Sequence, residues 1–226
     1  MKLFQLFLIC ISLSALFSCG TKQKVKIISK YPNGNVKEIY TYGNPSDSLS
    51  YLDTRFHNNG KILYRGHLDN GKKEGAWVWY FPNGFLEDSA IYHKGDFIGR
   101  RVHWDSLGRL SELEIINGPC YDCCCDGIVI RYYTNGKTES EAYMHGGKEN
   151  GKYVFYYDNG QPKKEEYFNE GAKEGKYYEW HPNGKQWVTG FYKNDNMDSI
   201  WTWFDTTGKI ESIQLRKNGA IVKDIK

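Results

Sequence analysis

Residues 151–184 read GKYVFYYDNGQPKKEEYFNEGAKEGKYYEWHPNG, and the fold follows from this stretch. Its first ten residues, GKYVFYYDNG, and its last ten, GKYYEWHPNG, share one plan. Each begins with Gly, places an aromatic two and five residues on, and ends in Asn-Gly. The two starts, Gly151 and Gly175, are 24 residues apart. A fixed period of this length is the mark of a repeat architecture.

The register extends outward in both directions. The turn glycines are Gly34, Gly60, Gly84, Gly108, Gly136, Gly160, Gly184 and Gly208, separated by 26, 24, 24, 28, 24, 24 and 24 residues. Asn precedes the glycine in six of them; Leu107 and Thr207 replace it in the other two. Nine residues upstream stands a second marker: Gly75, Gly99, Gly127, Gly151 and Gly175, with Ser199 in the same place once. About eight units result, one of them carrying a four-residue insertion.

Within one unit, residues 161–168 and 176–181 read as extended. The polar stretch 169–175 and Pro182-Asn183-Gly184 read as turns. Two short strands between glycine turns make a β-hairpin. Asn-Gly is a strong turn signal because both residues accept positive φ at little cost. No unit shows a helical apolar period. A lone hairpin is not stable in water, so the units must stack. The expectation is an all-β, elongated, single-layer, twisted antiparallel meander of about eight hairpins.

Stacking turns each position of the unit into a ladder. Two residues after the marker come Trp77, Tyr153, Tyr177 and Trp201; five after it come Tyr80, Trp104, Tyr132, Tyr156, Trp180 and Phe204. Tyr and Trp are enriched at protein interfaces, so these ten are expected to form one aromatic binding face. Small residues, Gly66, Ala90, Ala142 and Gly190, precede another apolar pair and leave room for a neighbouring ring.

Residues 1–18 hold one Lys and then a short apolar run, which predicts a secretory signal peptide. The run ends in Leu16-Phe17-Ser18-Cys19, which resembles the lipobox of bacterial lipoproteins. That resemblance implies cleavage before Cys19 and acylation of its thiol with palmitate-type chains. Two or more such chains hold a protein stably at a membrane. Residues 19–30 are then the lipidated Cys and a basic tether, and 31–226 the repeat array. Lys22 and Lys24 stand where a retention signal would have Asp, which favours the outer membrane in a Gram-negative cell. The net charge is +3, or +2 once Lys2 leaves with the signal, so charge makes no case for nucleic acid.

Units such as YDNGQPKKEEYFNEGAKEGKYYEW and FHNNGKILYRGHLDNGKKEGAWVWY resemble MORN repeats in their bacterial variant form. The resemblance covers about residues 31–219 and implies a meander of hairpins in one curved sheet. It implies an interaction or membrane-associated module. Some bacterial members of the variant carry the name antitoxin, so an antitoxin or immunity-type role is implied as well.

The fourth unit is irregular. Its insertion brings in Cys120, Cys123, Cys124 and Cys125, all the thiols left once Cys10 is removed and Cys19 acylated. An even set in an exported protein reads first as disulfides, and four Cys allow three pairings. A metal is the alternative. Cys120 and Cys123 have Cys-x-x-Cys spacing, and stacking is expected to bring His93 and His145 from the flanking units toward Cys120, Cys123 and Cys125. No other cofactor is indicated. No nucleophile elbow, P-loop, zinc-protease helix or dinucleotide fingerprint is present. Rows of like residues offer no single deep pocket. The sequence therefore predicts a non-enzymatic, membrane-anchored binding protein for an envelope protein, a glycan or a lipid. A redox or metal protein built on the Cys cluster is the third alternative.

Overall fold

The computed structural model describes residues 23–44, 46–119 and 126–226, the side chains of 117–119 excepted. These form β1 (Lys24–Lys30), β2 (Val36–Tyr42), β3 (Ser50–Phe56), β4 (Ile62–Asp69), β5 (Lys72–Tyr80), β6 (Leu86–His93), β7 (Asp96–Trp104) and β8 (Leu110–Pro119). Then come β9 (Gly127–Tyr132), β10 (Thr138–His145), β11 (Lys148–Tyr156), β12 (Pro162–Asn169), β13 (Ala172–Trp180), β14 (Gln186–Lys193), β15 (Asn196–Phe204), β16 (Ile210–Lys217) and β17 (Ala220–Asp224). Each strand pairs antiparallel with the next, from β1–β2 to β16–β17, in one 17-stranded sheet. The all-β hairpin meander read from the period is the fold. The sheet starts earlier than expected, because β1 occupies part of the segment assigned to a tether and pairs with β2 from Lys24 to Lys30.

The two edges of the sheet use different turns. On the Asn-Gly edge, the carbonyl of His57 accepts the Gly60 amide at 2.9 Å, and the His57 amide donates to Lys61 O at 2.7 Å. Residues 81–85, 133–137, 157–161 and 181–185 repeat the pair. Only the glycine has positive φ there, +83° at Gly60, so this is a type I turn closed by a glycine bulge. Positive φ at both turn residues occurs on the far edge instead. Asn70-Gly71 (50° and 75°) and Glu170-Gly171 (52° and 87°) are two-residue turns of mirror-image type. Stretch 169–175 is thus not one long turn. The chain reverses at 170–171 and is already strand at Ala172.

The marker glycine serves a different purpose from the turn glycine. Gly75, Gly99, Gly151 and Gly175 all have positive φ inside odd-numbered strands, and Ser199 adopts 61° at the same position. Beside them the ladder slips; Arg65 pairs with Val78 but His67 with Glu74. The bulge frees backbone carbonyls, and indoles take them. Trp77 Nε1 donates to His67 O at 3.1 Å, and Trp201 Nε1 donates to Asp198 O at 3.1 Å.

Side chains alternate across the two faces of the sheet. On the front face one row runs through cross-strand partners: Trp77, Ala90, Arg101, Glu114, Val129, Ala142, Tyr153, Glu166, Tyr177 and Gly190 in turn. With no second layer, the large buried side chains are rings lying along this row, while the smaller Val102 and Val154 are buried on the other face. Trp77 is 3% exposed, Tyr177 9% and Trp201 2%. Trp201 packs at 5.3 Å from Tyr177 and 5.1 Å from Tyr192, centroid to centroid. A buried ring of this size contributes on the order of 5 kcal/mol before the entropy of ordering is subtracted.

Candidate functional site

Both edges are stitched from each unit to the next by side chains. On the Asn-Gly edge the turn Asn has two tasks. Its Oδ1 accepts the amide two residues on, and its Nδ2 donates to a carbonyl in the following unit. Asn59 reaches Pro82 O at 2.8 Å, Asn83 reaches Ser106 O at 2.7 Å, and Asn183 reaches Thr206 O at 2.9 Å. Two residues before the Asn stands a second reaching group. Tyr31, Tyr133 and Tyr157 donate hydroxyls to Phe56 O, Tyr156 O and Trp180 O at 2.7–2.8 Å. His57 and His181 meet Tyr80 O and Phe204 O in the same way.

The two units without a turn Asn are closed differently. Asp105 and Asp205 replace the reaching Tyr or His, and each accepts two amides of its own turn. These bonds hold both carboxyls below the usual range. Asp105 is lowered chiefly by the Arg109 amide, and Asp205 falls to about 2, chiefly through the Thr207 hydroxyl. The unit containing Asp105 therefore caps itself and sends neither of these two bonds to the next unit.

The far edge uses a carboxylate just before the marker. Glu74 accepts the Lys94 amide at 2.8 Å, Asp126 the Gly146 amide at 3.0 Å, and Glu174 the Asn194 amide at 2.8 Å. His93 and His145 join these same carboxylates, His93 Nδ1 to Glu74 at 2.9 Å and His145 Nδ1 to Asp126 at 2.8 Å. The amide bonds first, and the histidines second, lower the Glu74 and Asp126 carboxyls. His93 and His145 thus serve the turns. They lie on β6 and β10, four strand spacings or about 19 Å apart, too far for one ion to touch both. The four Cys expected as disulfides or metal ligands, and Cys19, expected to be acylated, lie outside the described residues.

The ten aromatics expected on one face divide between two. Trp77 and Tyr80 are three residues apart on β5, so they point to opposite faces. Trp77, Tyr153, Tyr177 and Trp201 lie on the front, and three of the four are buried. Their neighbours two residues on share that face: Tyr153 stacks on Phe155 at 4.3 Å, and Trp201 lies 6.0 Å from Trp203. Lysines cover the rings. Lys73 Nζ stands 4.7, 4.9 and 4.6 Å from the rings of Trp77, Trp79 and Tyr92, with its pKa lowered by burial and then by Arg101. The front rings are therefore packed as the core of the array. The parity of a strand was enough to separate the two sets from the sequence.

The back face carries the other six: Tyr80, Trp104, Tyr132, Tyr156, Trp180 and Phe204, all half-buried. They occupy alternate strands from β5 to β15, about 9.6 Å apart. Beside this file, Ile91, Ile115 and Tyr143 are 45%, 40% and 50% exposed. Burial pushes the Tyr132 and Tyr156 hydroxyls up, so both are neutral donors near neutral pH. Such a file offers ring faces at a regular interval with a hydroxyl at several of them.

The front row changes character at its centre, where Arg101 and Val129 stand in place of aromatics. A recess of about 420 Å³ opens there, lined by Lys73, Trp79, Glu87, Asp88, Tyr92, Arg101 and His103. Arg101 is paired with Asp88 at 2.8 Å, which raises the guanidinium pKa further, and Arg131 with Glu112 at 2.8 Å. This charged centre gave no signal in the sequence, because it exists only once the strands are in register.

A family model described as MORN repeat variant matches five segments: residues 26–44, 126–145, 149–170, 173–194 and 197–218. The segments follow the hairpins β1–β2, β9–β10, β11–β12, β13–β14 and β15–β16, each folded over an Asn-Gly turn or its relic. Residues 45–125 are unmatched, yet β3–β8 repeat the same hairpins. No curated protein matches the chain.

Proposed function

We propose that this protein is a non-enzymatic binding lipoprotein, anchored at the cell envelope through Cys19, whose back face holds a ligand. The observation that carries the reading is the file of six half-buried aromatics, one per unit, on the open face of a sheet whose other face is covered by its own lysines. Rows of equivalent groups suit an extended ligand with a repeating contour, such as a glycan chain or an elongated envelope protein. Aromatic faces are adaptable anchors for both. The MORN repeat variant matches support a repeat scaffold of this kind.

The test is affinity capture from membranes with the full-length lipidated chain beside a Tyr132→Ser/Tyr156→Ser/Trp180→Ser variant. The reading expects a specific glycan or envelope protein on the parent and its loss on the variant, with the far-ultraviolet strand signal unchanged. Identical capture by both proteins contradicts it. Capture of a toxin that the parent neutralises would assign the antitoxin role instead.

A further inference from the structure

We propose that His103, Glu112 and Glu114, on β7 and β8 at the charged centre of the front face, form a binding site for one divalent first-row cation, for which zinc is the probe. The site is independent of the back-face reading and of the Cys cluster. The nearest imidazole nitrogen and one oxygen of each carboxylate lie within 4.8 Å of one another. Among the described residues this is the one such group. One imidazole with two carboxylates is a donor set suited to zinc or manganese.

His103 and Glu112 already face one another. Glu112 gives one oxygen, Oε2, to Arg131 at 2.8 Å and points the other, Oε1, at His103 Nε2 from 3.9 Å. That distance is too long for a hydrogen bond. With bonds of about 2.0–2.2 Å to each ligand, it needs to close by about 0.5 Å to bracket a tetrahedral ion. The opposite ring nitrogen, Nδ1, faces Asp88 Oδ2 at 3.8 Å. Glu114 makes no hydrogen bond or ion pair within the described residues, although it is the cross-strand partner of Arg101.

The charges permit a cation. Arg101 and Arg131 are each engaged by a carboxylate, Asp88 and Glu112, while Glu114 stands across the strands from Arg101 without an ion pair to it. No other unit repeats the donors. In the neighbouring hairpins the position of His103 is Trp79 or Arg131, and that of Glu114 is Ala90 or Ala142. The site is therefore a local departure from the repeat, placed where the aromatic row is interrupted.

The test uses the full chain with Cys120, Cys123, Cys124 and Cys125 replaced by Ser, so that thiols cannot contribute. Zinc titration by calorimetry should show one equivalent bound and a raised Tm. Cobalt should give visible ligand-field bands without thiolate charge transfer. Glu114→Gln, which removes no structural bond seen here, should weaken zinc binding by about 10–100-fold while leaving the metal-free Tm unchanged. His103→Gln should do the same. Absence of zinc binding, or binding that survives both substitutions at full strength, overturns the proposal.

Discussion

Gly190 and Trp201 are fitted to one another: a Cβ added to Gly190 would overlap the indole of Trp201. Gly66 stands in the same relation to Trp77. Where the next ladder residue is Arg101 or Tyr153, the small position is Ala90 or Ala142 instead. At Gly66 and Gly190 the indole thus sets the size of the residue it lies against. Gly190→Ala is expected to destabilise the protein by about 1–3 kcal/mol through overpacking. In a Trp201→Tyr background the same substitution should cost less, and a double-mutant cycle measured by denaturant unfolding reads the coupling.

Ser199 sits at φ 61° where four other units hold a glycine at positive φ. A left-handed conformation costs a residue with a Cβ roughly 1–2 kcal/mol. Ser199 Oγ donates to Asp198 Oδ1 at 3.1 Å, an exposed bond that returns little of this. Ser199→Gly should therefore raise stability by up to about 1 kcal/mol, and the converse change, Gly151→Ser, should lower it. Thermal melts of the two variants check the sign.

The Tyr157 hydroxyl donates to Trp180 O at 2.7 Å and joins two units along the Asn-Gly edge. Tyr157→Phe keeps the ring and removes the stitch, for an expected loss of about 0.5–1.5 kcal/mol. In an array whose units touch only their neighbours, the loss should be local. Amide exchange should speed up in β11–β14 and stay unchanged in β1–β6.

Asp53 is 4% exposed, accepts one bond from Tyr64 at 3.0 Å, and leaves Oδ1 without a partner among the described residues. Burial raises its pKa above the ordinary 3.8, against the opposing pull of the Tyr64 hydroxyl. The raised value means that the folded state takes up a proton before the unfolded chain does. Protonation thus adds stability that is complete below about 3.8 and is lost as pH rises through the folded pKa. Asp53→Asn should raise Tm by about 2–4 °C at neutral pH, and the gain should shrink as pH falls toward 4. Melts at a series of pH values test this. Asp205 runs the other way: its depressed pKa supplies stability above 3.8 that fades as pH falls through about 2.

The hairpin repeat was legible because its signals are local: a 24-residue period, Asn-Gly turns, and alternating side chains. The assignment of faces failed at Trp77 and Tyr80 because position in the unit was read without strand parity. The type of turn was less legible than its place, because Asn-Gly in a longer loop needs positive φ only at the glycine, as at Gly60. His93 and His145 share a register position but serve separate turns, a distinction visible only with their Glu74 and Asp126 partners in place. The charged centre around His103, Glu112 and Glu114 depends on cross-strand register between residues that follow no period.

The account rests on a division of labour between faces, and one comparison of unfolding free energies tests it most directly. Trp201→Ala, on the front, removes a ring that is 2% exposed and should cost about 3–5 kcal/mol. Trp180→Ala, on the back, removes a half-buried ring and should cost well under half of that. Equal losses in the two variants, or a greater loss from Trp180→Ala, would contradict the assignment of the front to stability and the back to recognition.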